Sequence, residues 1–343
     1  MRYFKAACFG CLLVWIAGCS TQYGTVKQTK VTTVRTDSGE EIKTEEESFV
    51  SYAEVIERSP NVKSVTRITD LKGEREPFFY ALSPTGKELV YQALESVEGE
   101  KLINFWKIPT SGGAGMTRLT VGRYFDLEPS YSPSGSDILF ASNRSSASFR
   151  LFRIRADGAG GITRVTQSDA EDRTPVSAPS GDAIFYASKP FNSQTWQVWR
   201  IGANGALPTQ FKEGLRPRVS PDGKQVLYCA QERKSSKWKI WLMDIEGMGE
   251  TELTSGIESD ELYPDWSPDG GTIVFASDMG KDSNGKKNFD IWMMKADGSN
   301  KTQLTTNGST DFLPIYSPDG KFIYFLSNRG GHSWDIWRME VVE

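Results

Sequence analysis

The chain is predicted to be all-β, a six-bladed β-propeller of four-stranded blades. Three observations predict this. A Ser-Pro-x-Gly turn or a near copy recurs six times, starting at Ser83, Ser132, Ala178, Ser220, Ser267 and Ser317. Eight residues after each start stands an aromatic: Tyr91, Phe140, Tyr186, Tyr228, Phe275 and Phe325. The last repeat also ends one strand short, and a matching strand stands ahead of the first repeat. A period of about 46 residues with four strands per unit fits a propeller blade.

Each strand has its own mark. Proline pre-sets the first corner of a turn and glycine accepts positive φ, so each Pro-x-Gly joins the first two strands of a unit as a hairpin. The third strand carries adjacent apolar residues, as in Asn104-Phe105-Trp106, Gln197-Val198-Trp199 and Asp335-Ile336-Trp337. Apolar residues on both faces mean a sheet packed between two others. The fourth strand is short and reads Thr-x-Leu-Thr, best at Thr117 to Thr120, Thr163 to Thr166, Thr251 to Thr254 and Thr302 to Thr305, with Thr209-Gln210-Phe211 a degenerate copy.

The final repeat stops after its third strand, and Thr66-Arg67-Ile68-Thr69 near the other end matches Thr117 to Thr120. Pairing this N-terminal strand, Val65 to Asp70, with the last blade closes the ring. That removes the open edges a linear solenoid would have to cap.

The tandem Pro-x-Tyr/Trp-Ser-Pro-Asp-Gly, Phe-Ala-Ser, Asp-Ile-Trp and Leu-Thr segments resemble the TolB-like β-propeller repeat, clearest at Pro264 to Gly270 and Pro314 to Gly320. Blade 1 departs from the pattern, with Pro77 three residues early, and blade 3 has Ala178 in place of serine. The resemblance implies an envelope protein that binds a protein or peptide. TolB itself carries a sizeable domain before its blades, whereas residues 19–61 are all that is expected here. A lipoprotein member of the family is therefore implied rather than TolB itself.

Ahead of the blades, Arg2 and Lys5 precede an apolar run from Ala6 to Ala17, which reads as an export signal too short to span a bilayer. Ile16-Ala17-Gly18-Cys19 resembles the lipobox of bacterial lipoproteins, implying cleavage before Cys19 and its acylation. Ser20, being non-acidic, implies outer-membrane sorting in a Gram-negative host. The expected organisation is a signal peptide at 1–18, a lipidated cysteine and polar tether at 19–61, and the propeller at 62–343. Within the tether a marginal hairpin around Asp37-Ser38-Gly39 and a short helix at Ser48 to Arg58 are the folded alternatives.

Removal of the signal leaves Cys229 as the one thiol of the mature chain, in an apolar strand pattern that reads as core. The net charge of -4 becomes more negative when Arg2 and Lys5 leave, which disfavours nucleic acid. The expected membrane contact is the lipid alone, and no obligate homo-oligomer is implied.

Catalysis finds little support in the residues. Gly331-His332-Ser333-Trp334-Asp335 resembles a nucleophile elbow, but the closing glycine is absent, a strand follows instead of a helix, and His332 is the sole histidine. The Asp278 to Asp290 segment has its glycine misplaced for an EF-hand calcium loop. The expectation is no enzyme, no cofactor and no metal.

Six residues before the turn starts stand Asp126, Asp172, Glu261 and Asp311, where blade 4 has Gly214 and blade 1 has Pro77. In this repeat type they share one face of the disc with Arg144, Lys189 and Arg329, at the channel mouth. One reading has them pairing with neighbours to fix the blades. The other has them form a polar rim that captures a partner. Phe149, Trp196, Trp238, Phe289 and Trp334, three residues before the third-strand aromatic, read as packing first and as sugar-stacking platforms second. A glycan or small-ligand binding lipoprotein is accordingly the first alternative to the scaffold, and a propeller accessory of a hydrolase the second.

Overall fold

The computed structural model describes residues 26–35, 41–50, 59–71, 76–112, 115–233, 235–256, 258–281, 285, 287–329 and 334–342. The chain divides into two compact units, Met1–Tyr52 and Ala53–Glu343. In the first, β1 (Val26–Arg35) pairs antiparallel with β2 (Glu41–Val50), from Val26 opposite Val50 to Arg35 opposite Glu41. The hairpin alternative is thus the one formed over these residues, and Ser48 to Val50 are strand rather than helix. Cys19 lies outside the described residues.

The second unit holds six four-stranded antiparallel sheets. Blade 1 is β4 (Pro77–Leu82), β5 (Glu88–Val97), β6 (Glu100–Pro109) and β7 (Thr117–Arg118); blade 2 is β8 (Asp126–Tyr131), β9 (Asp137–Ser142), β10 (Arg150–Arg155) and β11 (Thr163–Arg164). Blade 3 is β12 (Glu171–Ser177), β13 (Ala183–Lys189), β14 (Gln197–Gly202) and β15 (Thr209–Glu213); blade 4 is β16 (Leu215–Val219), β17 (Gln225–Gln231), β18 (Trp238–Asp244) and β19 (Thr251–Glu252). Blade 5 is β20 (Glu261–Trp266), β21 (Thr272–Ser277), β22 (Asp290–Lys295) and β23 (Thr302–Gln303). Blade 6 combines β24 (Asp311–Tyr316), β25 (Phe322–Ser327) and β26 (Asp335–Val341) with β3 (Val62–Arg67).

The repeated motifs act as follows. In the Ser-Pro-Asp-Gly turns the serine hydroxyl accepts the N–H five residues on, at 2.9 Å in Gln225, Thr272 and Phe322, and donates to the Asp two residues on, at 2.5–2.6 Å. The glycine sits near φ +72, where a side chain would be strained, and donates to the serine carbonyl. Ala178 keeps the glycine bond but lacks the hydroxyl.

The Leu-Thr motif works where the fourth strand leaves its neighbour. The hydroxyls of Thr120, Thr166, Thr254 and Thr305 accept the third-strand N–H of Phe105, Leu151, Ile240 and Ile291 at 2.9–3.0 Å. Thr69 makes the same bond to Ile336 at 2.9 Å, from the other end of the chain. The ring is closed as expected, with the paired stretch set three residues earlier than read, at Val62–Arg67; Ile68 and Thr69 continue it by donating to the Ile336 carbonyl. Degenerate blade 3 instead lengthens its outer strand, β15, to five residues.

The core lies between blades. All six second-strand aromatics are buried, and Tyr91 packs in one cluster with Leu313, Leu326 and Ile336 across the junction of blades 6 and 1. Fully burying one such side chain stabilises by roughly 1.5–3 kcal/mol. Closure therefore rests on side-chain packing as well as on one strand pair.

Candidate functional site in the axial channel

Each inner strand carries one bulge, at a common register in blades 2 to 6 and one residue earlier in blade 1. The pairing with strand two slips between Leu127 and Ser130, Arg173 and Val176, Leu215 and Arg218, Leu262 and Asp265, and Phe312 and Ile315, and in blade 1 between Pro77 and Tyr80. The second residue of the bulge is a proline in five blades: Pro129, Pro175, Pro217, Pro264 and Pro314. A proline has no N–H to give a ladder, so inside a sheet it is tolerated where the ladder is broken.

The residue before each of these prolines is left-handed: Glu128, Thr174, Arg216, Tyr263 and Leu313 have φ between +50 and +59. Such conformations cost of order 1–3 kcal/mol each in non-glycine residues, and a following proline disfavours them further. In blade 1 Tyr80 replaces the proline, Phe79 is not left-handed, and the Tyr80 hydroxyl donates to the Leu313 carbonyl at 2.6 Å.

The bulges line an axial cavity of about 280 Å³ that runs toward the strand-one to strand-two hairpins, reaching Pro84, Ser132 and Pro133. Its walls include Phe79, Glu128, Arg216, Arg218, Tyr263, Asp265, Leu313 and Ile315. Arg216 lies over two adjoining rings, 5.0 Å from the centre of Phe79 and 4.2 Å from that of Tyr263, the ring centres themselves being 6.3 Å apart.

Arg173 grips Glu128 with two bonds, at 3.0 and 3.2 Å, and the Thr174 N–H adds a third at 2.8 Å. Burial favours the neutral acid at Glu128, but the guanidinium groups of Arg173 and Arg216 outweigh it and hold the carboxyl below its ordinary range. Asp265 is the opposite case. Burial pushes it up to about 6, against the pull of Arg218, whose Nε stands 3.7 Å away, and of the Tyr316 N–H at 3.0 Å. Arg218 is itself lowered by burial, with Arg216 adding to the effect.

The rim residues read from sequence stand at or next to the start of the inner strands, at the end away from this cavity. Asp126 accepts from Ser142 at 2.7 Å and Arg144 at 2.6 Å. Asp311 takes Arg329 at 2.7 Å, Glu261 takes Lys239 of the preceding blade at 2.6 Å, and Asp172 accepts from Ser188 at 2.7 Å. All four acids are buried, and burial pulls Asp172, Glu261 and Asp311 above the ordinary carboxylate range in spite of these partners. Blade 4 has glycine here for lack of space, since a side chain on Gly214 would lie 2.6 Å from the Tyr228 ring.

Arg144 stacks on Tyr124, Phe140 and Phe152, and Lys189 lies over Trp196. Phe289 and Trp334 pack against Phe312. His332 and Ser333 fall outside the described residues.

Glu128, Arg216, Arg218 and Asp265 were not singled out by the sequence reading. Glu128 and Arg216 share the position four before each turn start, which varies as Phe79, Glu128, Thr174, Arg216, Tyr263 and Leu313 while the next is proline in five copies; Arg218 and Asp265 share the position two before, elsewhere Ala81, Ser130, Val176 and Ile315.

The TolB beta propeller domain family matches residues 61–233 and 202–343. The chain belongs to this family. A protein solved as a candidate TolB from Agrobacterium tumefaciens is similar at 26% identity and TM-score 0.54, covering 63% of this chain and 75% of that one. TolB from Acinetobacter baumannii is similar at 15% identity and TM-score 0.57, covering 76% and 65%.

Among curated relatives, an uncharacterized protein of Agrobacterium fabrum is 38% identical over 76 residues, which is 22% of this chain and 24% of that protein. Dipeptidyl-peptidase 5 of Porphyromonas gingivalis is 37% identical over 65 residues, 19% of this chain and 10% of that protein. The chain therefore matches a quarter or less of either.

These comparisons correct the expectation that the chain is no enzyme. Oligogalacturonate lyase from Vibrio parahaemolyticus shares the fold at TM-score 0.57 and 14% identity, covering 93% of this chain and 99% of that one. A Xanthomonas campestris gluconolactonase and a Mycobacterium tuberculosis puromycin-hydrolyzing peptidase share it at TM-scores of 0.53 and 0.51. The same architecture carries catalysis, so a propeller with a single histidine is no ground for excluding it.

Proposed function

We propose that this chain is a cell-envelope propeller that binds a protein or peptide segment in its axial cavity, held at the membrane by acyl chains on Cys19. The observation that supports the reading is the convergence of bulges from all six blades on one cavity, where charged and aromatic side chains meet. A concave site with apolar walls and a few converging polar groups is the usual form of a binding pocket. Membership of the TolB propeller family adds weight to an envelope interaction.

A photo-crosslinking residue placed at Ile315, inside the cavity, tests it in intact cells. The expected result is one discrete adduct that is absent when the probe is at Phe191, an exposed residue of the loop between strands two and three of blade 3. Equal capture from both positions, or none from Ile315, overturns the reading. Labelled palmitate incorporated into the wild type and lost in Cys19→Ser checks the anchor.

A further inference from the structure

We infer that the axial cavity is entered from the face of the strand-one to strand-two hairpins, beside blade 3, and that the blade 3 hairpin at 178–182 is the wall that moves to admit a ligand. This rests on the reading of the cavity as the binding site and names the way into it.

On the rim side the cavity is closed by side chains that meet on the axis. Blades 1 and 4 stand opposite each other in the ring of six sheets, yet the Arg216 guanidinium of blade 4 lies 5.0 Å from the centre of the Phe79 ring of blade 1. Tyr263 of blade 5 joins them, its ring centre 4.2 Å from Arg216 and 6.3 Å from that of Phe79. In every inner strand the lining begins within the bulge and omits the residues before it. Toward the hairpins the walls reach furthest on one side, to Pro84 in blade 1, Pro133 in blade 2 and Ser177 in blade 3. In blades 4, 5 and 6 they stop at Arg218, Asp265 and Ile315, two residues short of the turn.

On that face the hairpins pack together except around blade 3. In four blades the turn glycine backs on the turn proline of the blade before it. A Cβ on Gly86 would stand 3.3 Å from Pro318 and one on Gly135 3.4 Å from Pro84, while Gly270 and Gly320 face Pro221 and Pro268 at 3.8 Å. At Gly181 and Gly223, the two junctions that flank the blade 3 hairpin, nothing among the described residues comes within 4 Å of that position. Gly181 is exposed, whereas the other five turn glycines are half-buried.

The same hairpin is also the least bonded within itself. In the other five turns a serine hydroxyl accepts the N–H five residues on, and Ala178 has no hydroxyl to do so. A segment with fewer bonds inside it and fewer neighbours outside opens at lower cost than the structure around it.

Two measurements on the full-length chain in detergent test the inference. Hydrogen exchange of the unaltered protein reads the hairpin: the amides of Ala178 and Gly181, each bonded across their own turn, should be about tenfold or more less protected than those of Ser267 and Gly270 in blade 5. Labelling of Ile315→Cys with N-ethylmaleimide reads the way in. The wild type supplies the background from Cys229, whose thiol burial pushes up to about 11. Pro133→Trp extends the blade 2 turn toward Gly181, as Pro84 stands toward Gly135, and should slow labelling about tenfold. Ala178→Ser, which restores the missing acceptor, should slow it severalfold. Thr310→Trp, one residue before β24 on the rim side, should leave it unchanged.

Equal protection of the two hairpins, labelling indifferent to Pro133→Trp or to Ala178→Ser, or labelling slowed by Thr310→Trp overturns the inference. A discrete adduct from the Ile315 crosslinker with labelling indifferent to Pro133→Trp removes only this entrance. Labelling that follows the expected pattern without any adduct removes only the partner reading.

Discussion

The two ends of the inner strands use charge in opposite ways. Where the strands begin, Asp126, Glu261 and Asp311 each meet a cation at 2.6–2.7 Å, and all three are buried. Toward the other end, Glu128, Arg216, Arg218 and Asp265 come from three different blades and meet only because the ring brings them to one axis. At the strand starts each acid meets one cation close by, whereas around the cavity charges from several blades face one another, Arg173 on Glu128 and Arg218 beside Asp265. The difference lies in who the partner is.

The largest effect should come from breaking a local pair. Asp311→Ala takes away the carboxylate that the buried Arg329 meets at 2.7 Å, and removing one member of a buried pair typically costs about 3–5 kcal/mol. Urea unfolding of the variant should show that loss. A change below about 1 kcal/mol would mean that these pairs are not what ties the blades.

A smaller loss is expected at the closure. Thr69→Val keeps the shape but withdraws the acceptor for the Ile336 N–H, a buried bond whose loss costs roughly 1–3 kcal/mol. Thr120→Val, at the matching place in blade 1, should cost less, since the Thr69 hydroxyl also donates to the buried Asp335 at 2.7 Å. If Thr69→Val alone is silent, the last blade is held by packing rather than by its displaced strand.

The smallest stability effect should lie in the cavity, and it should depend on pH. Asp265 is raised in the folded chain, so the native state binds its proton more tightly than the unfolded state does. The contribution of this group is favourable at low pH and is lost as pH climbs from about 4 to about 6. Asp265→Asn should therefore gain on the wild type across that window, by about 1–2 kcal/mol, read as a shift in the urea midpoint between pH 4 and pH 7. The opposite trend would place Asp265 among the structural acids.

Much of the architecture was legible because each blade repeats its local chemistry. Ser220, Asp222 and Gly223 write one turn within four residues, and Thr69 announces itself as the equal of Thr120 by Leu-Thr-like spacing alone. The hairpin of β1 and β2 was legible only as an alternative, since Asp37-Ser38-Gly39 signals a turn while two strands offer no core by themselves. The cavity residues were harder. Glu128 and Arg216 occupy one register of the repeat, but neither resembles the other, and no single copy shows that the register points inward.

By itself, then, the order of residues determined the number of blades, their turns and the closure of the ring, because those depend on contacts within about fifty residues or on a motif matching its own copy. Tertiary structure alone decided where the site lies. A residue before proline avoids the left-handed region when left to local preference, and five such residues adopt it here because bulges in packed inner strands demand it. Only the closed ring turns that shared strain into one cavity, by setting side chains from distant parts of the chain around a common axis.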